Sequence, residues 1–379
     1  MSGVRIADHF SELADPRKRK VTYPLLNVIT IALCAVIAGA DDFVSIAQYG
    51  RQKKEWLAQF LDLRGGIPSH DRFNAIFAAL NPAAFEKCLL SWITSLHEVS
   101  GGQVIAIDGK TLRRSYDAAS SKAAIHMVSA WATANQISLG QVVTDEKSNE
   151  ITAIPKLLEM LEIQGCLVTI DAIGCQVEIA EKIVERGGDY VLAVKGNQQT
   201  LHENIVRFFE EHVEDNFARV KAKQHQTSER GHGREEDRSY VICAVPEELY
   251  GTQRWPKLKA LGMVINDTVR DGKCTTEIRY YILSKKLTAK RFAEAVRGHW
   301  SIENKLHWQL DVTFGEDQSR LRQGHADANF SILRRTALSL LKNNQTHKIG
   351  VKNKRLTAGW DNDYMQEILF QHSQTAKLT

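Results

Sequence analysis

A change of hydrophobic period near residue 101 constrains this 379-residue chain more than any other feature. Upstream of it, apolar residues recur every three to four positions from Leu26 to Ile37, from Trp56 to Leu63 and from Phe85 to Leu96. That is the spacing of helices with one buried face. After Gly101-Gly102 comes Val104-Ile105-Ala106-Ile107, short and wholly apolar, as expected of a strand buried on both faces. His126 to Thr133 and Ile137 to Thr144 predict two further strands, joined by a turn at Ala134-Asn135-Gln136. A helix over Ile151 to Ile163, a buried strand over Cys166 to Ile170, a helix over Gln176 to Arg186 and a strand over Tyr190 to Val194 follow.

Three strands, then helix, strand, helix and strand, is the order of a ribonuclease-H-like fold, an α/β architecture with a mixed sheet flanked by helices. A helix from Gln199 to about His212 leads into a polar stretch, Lys221 to Arg238, dense in charge and histidine. Ser239 to Val245 and Ile278 to Leu283 have strand character, so residues 215–285 read as a mostly β insertion. Helices resume at Ala289 and include Ala326 to Leu341. The expected organisation is an all-helical N-terminal domain over 1–95, an α/β domain over 96–345 and a basic tail over 346–379. Within the first, the loop Gly65 to Asp71 ends in a helix N-cap before Arg72 to Leu80. Helices joined this way suit a DNA-contacting domain and a generic bundle equally well.

The apolar run Pro24 to Ala40 spans 17 residues, contains Asn27 and Thr30 and meets Asp41-Asp42. A membrane span needs about 20 apolar residues, so a buried helix is expected. The opening MSGVRIADHF has no basic-then-apolar leader pattern. The six cysteines contain no C-x-x-C pair. They imply neither a disulfide framework nor a zinc ribbon, and they fit a reducing cytoplasm. A net charge of +4 permits nucleic-acid binding without arguing for it; the placement of the charge decides.

Asp108 and Asp171 each follow a buried apolar run, and so are expected at the carboxyl edge of the sheet, where α/β folds place their chemistry. On neighbouring strands two such carboxylates repel unless a cation lies between them, and magnesium or manganese suits hard oxygen donors. Either aspartate alone also reads as an ordinary turn or cap residue. The segment Arg297 to Asp311, taken as a helix, carries an apolar stripe of Ile302, Leu306 and Leu310. Beside it lies a polar stripe of His299, Glu303, His307 and Asp311.

The segments VIAIDGKTLRRS, LVTIDAIGCQ, DYVLAVKGNQ and RGHWSIENKLHWQLDVTFGED resemble those of bacterial insertion-sequence DDE transposases. The likeness is greatest to the H-repeat-associated proteins found beside Rhs elements. The N-terminal DPRKRKVTYPLLNVITIALCAVIAGADDF and GIPSHDRFNAIF resemble that family's associated domain, so the likeness spans nearly the whole chain. It implies divalent-metal cofactors, Mg2+ or Mn2+, held by Asp108, Asp171 and Glu303. It further implies cutting and joining of double-stranded DNA at transposon ends, and a homodimer or larger assembly on that DNA. Related transposases place Tyr, Arg and Lys around the glutamate; this chain has Val296, His299 and Leu310 there. Lys305 is a substitute candidate for the missing lysine. Lys110, Arg113, Arg114, Lys195, Asn197, Arg297 and His299 are further candidates for contact with DNA, and Arg17 to Lys20 and Lys342 to Arg355 add positive segments outside the core.

Two-metal phosphoryl transfer follows as the expected chemistry, with Asp108 bridging and Asp171 and Glu303 each completing one shell. A metal-dependent nuclease without strand transfer uses the same carboxylates; an inactive DNA-binding remnant of a mobile element is the other alternative, and the presence of all three acids argues against it. Other chemistries fare worse. Gly109-Lys110-Thr111 lacks the upstream glycine of a phosphate-binding loop, since Val104 stands there. His299, Glu303 and His307 are spaced for a zinc ion on one helix face, but that reading leaves both aspartates idle. No G-x-S-x-G elbow is present.

Overall fold

The structure, a computed structural model, describes residues 6–18, 21–96, 103–111, 126–144, 150–231 and 233–370. Arg113, Arg114, Arg19, Lys20 and the Gly101-Gly102 break lie outside the described residues.

The N-terminal region is helical: α1 (Ile6–His9), α2 (Leu25–Ile37), α3 (Phe43–Gln52), α4 (Lys54–Leu57), α5 (His70–Ala79) and α6 (Pro82–Leu96). α2 is the apolar run, buried from Asn27 to Ile37, and the Asn27 amide donates to the Asp62 carbonyl at 2.6 Å. Among the described residues no helix is long and apolar enough to cross a membrane. Two expectations shift here. The helix expected over Trp56 to Leu63 shortens to α4. The cap of α5 is Ser69, whose hydroxyl accepts the Arg72 amide at 3.3 Å, rather than Asp71.

The α/β region runs β1 (Val104–Thr111), β2 (His126–Ala132), β3 (Ile137–Val143), α7 (Glu150–Met160), β4 (Leu167–Ile170), α8 (Val177–Glu185), β5 (Asp189–Val194) and α9 (Gln199–Val213). The insertion supplies β6 (Lys223–Gly231), β7 (Arg234–Ala244), β8 (Ala260–Arg270) and β9 (Lys273–Leu283). Then come α10 (Ala289–Ile302), a π-helical turn over Glu303–His307, α11 (Trp308–Val312), α12 (Ala326–Asn343), α13 (Val351–Trp360) and α14 (Asn362–Phe370).

All nine strands form one sheet in the order β3-β2-β1-β4-β5-β9-β8-β7-β6. β1 pairs antiparallel with β2 and parallel with β4, and β4 pairs parallel with β5. This is the expected ribonuclease-H-like arrangement. The insertion does not form a separate sheet: β9 pairs antiparallel with β5, and the remaining three strands extend the same edge.

Strand alternation sends successive side chains to opposite faces. Val104, Leu167 and Val191 pack with Phe292, Ala295 and Val296 of α10. Ile105, Ile107, Val168 and Ile170 enter the larger core, which also contains residues of α2, α5, α6, α7 and α12. α10 lies close over β8, because a Cβ at Gly262 would stand 2.5 Å from the Phe292 ring. α12 is buried nearly throughout and joins the N-terminal helices to the sheet. Its Asn329 amide donates to the carbonyls of Phe77 and Leu80 at 2.7 and 2.8 Å.

Within the expected basic tail, residues 351–370 form α13 and α14, packed against the body of the protein, and residues 371–379 lie outside the described residues. Lys354 is buried and donates to the carbonyls of Leu341 and Asn344, at 2.9 and 2.6 Å. Arg355 is buried and donates to the Val36 carbonyl at 3.0 Å. These two cations cap chain carbonyls within the core, and are not positive charges outside it.

Candidate active site

The parallel ladder of β1 and β4 ends at the pair Ile107–Ile170, so Asp108 and Asp171 are the next residues on adjoining strands. Adjoining strands stand about 4.8 Å apart. Asp108 does not close its strand as expected. β1 continues through Thr111, because β2 keeps pairing with it, and Asp108 stands opposite Ser129. Counting in twos from Val104 and Leu167 places both aspartates on the face that α10 covers. Glu303 follows α10 directly, at the start of the π-helical turn, an element often found at functional sites. Three elements distant in sequence thereby bring Asp108, Asp171 and Glu303 to one cavity of about 300 Å³. Thr169, Lys195 and His299 line it as well, with Arg279 and Trp300 on the insertion side.

Among the described residues, Lys195 and Arg279 are the cations that line the cavity. Burial, followed by repulsion from Asp171, Glu150 and Glu303, pushes the Asp108 carboxyl up to about 7. Asp171 is also raised, by burial and then by Glu150, although the amides of Gly174 and Ile173 and the Lys195 ammonium oppose this. The Ile173 amide donates to Asp171 at 3.1 Å, so the aspartate braces its own loop and does not cap α8. His307 Nδ1 lies 3.4 Å from Asp108, but burial drives that imidazole's pKa down to about 3 and keeps it neutral. Among the described residues no three acidic, histidine or cysteine side chains stand close enough to share one ion. Glu303 is exposed, whereas Asp108 and Asp171 are half-buried.

The basic candidates separate by environment. Lys195 is exposed on the cavity rim, and Lys305 is exposed on the π-helical turn. Lys110 is a correction: it is 8% exposed, pairs with Asp311 and donates to Glu316 at 2.8 Å. α11 and the residues after it cover the end of β1 and remove Lys110 from any DNA surface. Although burial alone would raise Glu316, Arg335, Lys110 and Arg334 hold its carboxyl down at about 2. Arg297 donates to both oxygens of Glu229 at 2.7 Å, tying α10 to β6. The Asn197 amide donates to the Ala172 carbonyl at 2.6 Å, joining the loops after β5 and β4. His299 lies 3.1 Å from the Thr169 hydroxyl, and burial lowers its pKa to about 4, so it acts as a neutral hydrogen-bonding group. Leu310 is fully buried, so no cation could work from that position.

Two residues escaped the sequence reading. Glu150 opens α7, where an acid reads as an ordinary complement to a helix dipole. Arg279 stacks 4.1 Å over the Trp300 ring, and it sits in a charged stretch of β9 that has no apolar alternation to mark it.

A ribonuclease-H-like sheet with two aspartates at its carboxyl edge and a glutamate from the neighbouring helical layer is the arrangement expected of the class of DDE transposase enzymes. Comparison with known proteins agrees. The family described as Transposase DDE domain matches residues 99–340, and that described as DDE_Tnp_1-associated matches residues 7–93. The chain belongs to the DDE transposase family. It is 41% identical over 371 residues to the H repeat-associated transposase candidate YhhI of Escherichia coli strain K12, covering 96% of this chain and 97% of the relative. It is 41% identical over 379 residues to the transposase candidate YncI of Escherichia coli O157:H7, covering 99% and 96%. Among solved structures, a piggyBac transposase synaptic complex with hairpin DNA aligns at a TM-score of 0.42 and 10% identity, over 98% of this chain and 78% of that one.

Proposed function

We propose that this protein cuts and joins double-stranded DNA at the ends of an insertion-sequence-like element, with Asp108, Asp171 and Glu303 as the residues that hold divalent metal. The observation that carries this reading is the placement of three carboxylates around one cavity whose lining, among the described residues, brings only Lys195 and Arg279 as cations, Arg279 being already paired with Glu277. The donor set fits magnesium or manganese, since all three side chains offer hard oxygens and the nearby imidazoles are neutral. Bound there, such ions supply Lewis acidity and lower the pKa of an attacking water or DNA 3′-hydroxyl.

The chain's own residues do the rest. Asp108 and Asp171, fixed by the β1–β4 register, form the rigid side of the site, and Glu303 closes it from the helical layer. Lys195 draws the phosphate backbone toward Asp171, and His299 offers a neutral hydrogen bond across the cavity. Lys305 is exposed on the π-helical turn, Arg297 is half-buried and paired with Glu229, and Arg113 and Arg114 follow the first aspartate in sequence. The helical N-terminal region adds contact area for DNA, and a homodimer or larger assembly holds two ends together. Six free cysteines, five of them buried, suit a cytoplasmic protein.

The test is an in vitro assay with Mn2+ and duplex DNA carrying the sequences that flank the gene. Nicked and joined products are both expected. Asp108→Asn, Asp171→Asn and Glu303→Gln should each abolish cleavage while retaining DNA binding. Nicks without joined products would identify a nuclease, and wild-type cleavage by Asp108→Asn would sink the metal assignment.

A further inference from the structure

The carboxylate of Asp171 is aimed by the loop that follows β4. Its Oδ1 accepts the amides of Ile173 and Gly174 at 3.1 and 3.4 Å, so Oδ2 is the oxygen left for a ligand in the cavity that Asp171 lines. The loop turns back hard on the strand it leaves. A Cβ on Gly174 would stand 2.3 Å from Ile170 Cγ2 and 2.9 Å from Ile154 Cδ1. Residues 172–176 are held in turn by the segment after β5, the neighbouring parallel strand. The Asn197 amide donates to the Ala172 carbonyl, and Gln198 Nε2 donates to the Cys175 carbonyl at 2.9 Å and to Gln176 Oε1 at 3.2 Å.

The other end of the Gln198 amide is engaged from the insertion. Its Oε1 accepts from the guanidinium of Arg254, an exposed residue in the loop between β7 and β8. Trp255, next in sequence, is buried in the larger core and anchors that loop. A carbonyl only accepts and a guanidinium only donates, so the Gln198 amide satisfies both partners in one orientation alone. Turned over, it would set oxygen against oxygen at Cys175 and nitrogen against nitrogen at Arg254.

We propose that Gln198 is a positioning residue for Asp171, held in its working orientation by Arg254. This rests on the reading of Asp171 as a metal-holding residue. The strand register fixes where the Asp171 backbone stands, the loop amides fix where its carboxylate points, and Gln198 fixes the loop. The insertion thereby reaches the active site through a single line of hydrogen bonds, from Arg254 through Gln198 to the Cys175 carbonyl.

Calorimetric titration of Mn2+ into the intact protein without DNA, paired with thermal melting in EDTA, tests the assignment. Gln198→Leu is expected to weaken Mn2+ binding by about tenfold, as loss of a group that orients a ligand does. Arg254→Ala should weaken it in the same direction, and Arg254→Lys, whose ammonium also donates, should restore most of the affinity. Asp171→Asn is expected to lose binding altogether. Wild-type affinity in Gln198→Leu or in Arg254→Ala overturns the inference, even if either variant melts lower, because the bonds would then only stabilise the loop. The triad stands in that case so long as Asp171→Asn fails to bind. If Asp171→Asn also titrates like the wild type, the metal reading itself falls. Should Gln198→Leu not fold, the exposed Arg254→Ala decides alone by the same comparison.

Discussion

Lys110 and Glu316, more than two hundred positions apart in sequence, meet in a buried ion pair with the ammonium donating at 2.8 Å. The pair ties the strand that carries Asp108 to the segment that follows α11, and so fixes the sheet edge relative to the helical layer holding Glu303.

Removing that cation should be costly. Lys110→Met leaves Glu316, 1% exposed, without its nearest ammonium, and leaves Asp311 without its partner. Breaking one side of a buried pair costs about 3–5 kcal/mol. Urea unfolding should show a loss of that order together with loss of cleavage. A change under about 1 kcal/mol would mean that the pair behaves like an exposed one.

Gly262 on β8 is expected to tolerate no side chain, because the Phe292 ring occupies the space its Cβ would take. Gly262→Ala should cost roughly 1–3 kcal/mol by overpacking. Thermal melting checks this, and Gly262→Ala with Phe292→Leu should recover part of the loss.

Glu86 on α6 gives a pH signature. Burial pushes its carboxyl up to about 8 from the ordinary 4.5, with Arg335 and a backbone hydrogen bond only partly opposing. The folded chain therefore holds this proton over a range where the unfolded chain has released it. Stability from this group is full below about pH 4.5 and declines as pH rises toward 8. Glu86→Gln, neutral at every pH, should match the wild type in mild acid and exceed it near pH 9 by on the order of a few kcal/mol. Unfolding curves for both proteins that run parallel across that range would contradict this.

Lys195 should contribute one phosphate contact. Lys195→Ala is expected to weaken binding to all duplexes alike and to reduce the slope of log affinity against log salt by about one unit. Fluorescence anisotropy at several salt concentrations measures it, and an unchanged slope would remove Lys195 from the interface.

The catalytic half of the fold was legible because its signals are local. Buried strands such as Val104 to Ile107 and Leu167 to Ile170 announce themselves as unbroken apolar runs, and the residues after them mark the sheet edge. The stripe of Ile302, Leu306 and Leu310 is buried as the helical reading required. β6 was missed because its side chains are largely exposed on a polar ribbon, which leaves no apolar alternation to read. Lys110 and Arg355 were misread for the opposite reason. A cation's sequence neighbours do not reveal a carboxylate or carbonyl that arrives from two or three hundred residues away. Glu150 belongs to the same class, since its relation to the aspartates exists only once β2 and α7 have folded onto β1.

The burial of α12 between the N-terminal helices and the sheet sets a rule for how such a gene can be shortened. Both ends of the chain wrap the same central rod, with Asn329 bonded to α5 and Lys354 bonded to the end of α12 itself. Deleting residues 6–96 would strip the cover from a helix that carries two buried arginines, Arg334 and Arg335, and would expose the supports of the active site to water. In-frame removal of the N-terminal helices, or a stop that removes α13 and α14, should therefore silence the protein by collapse, with Asp108, Asp171 and Glu303 all still present in the chain.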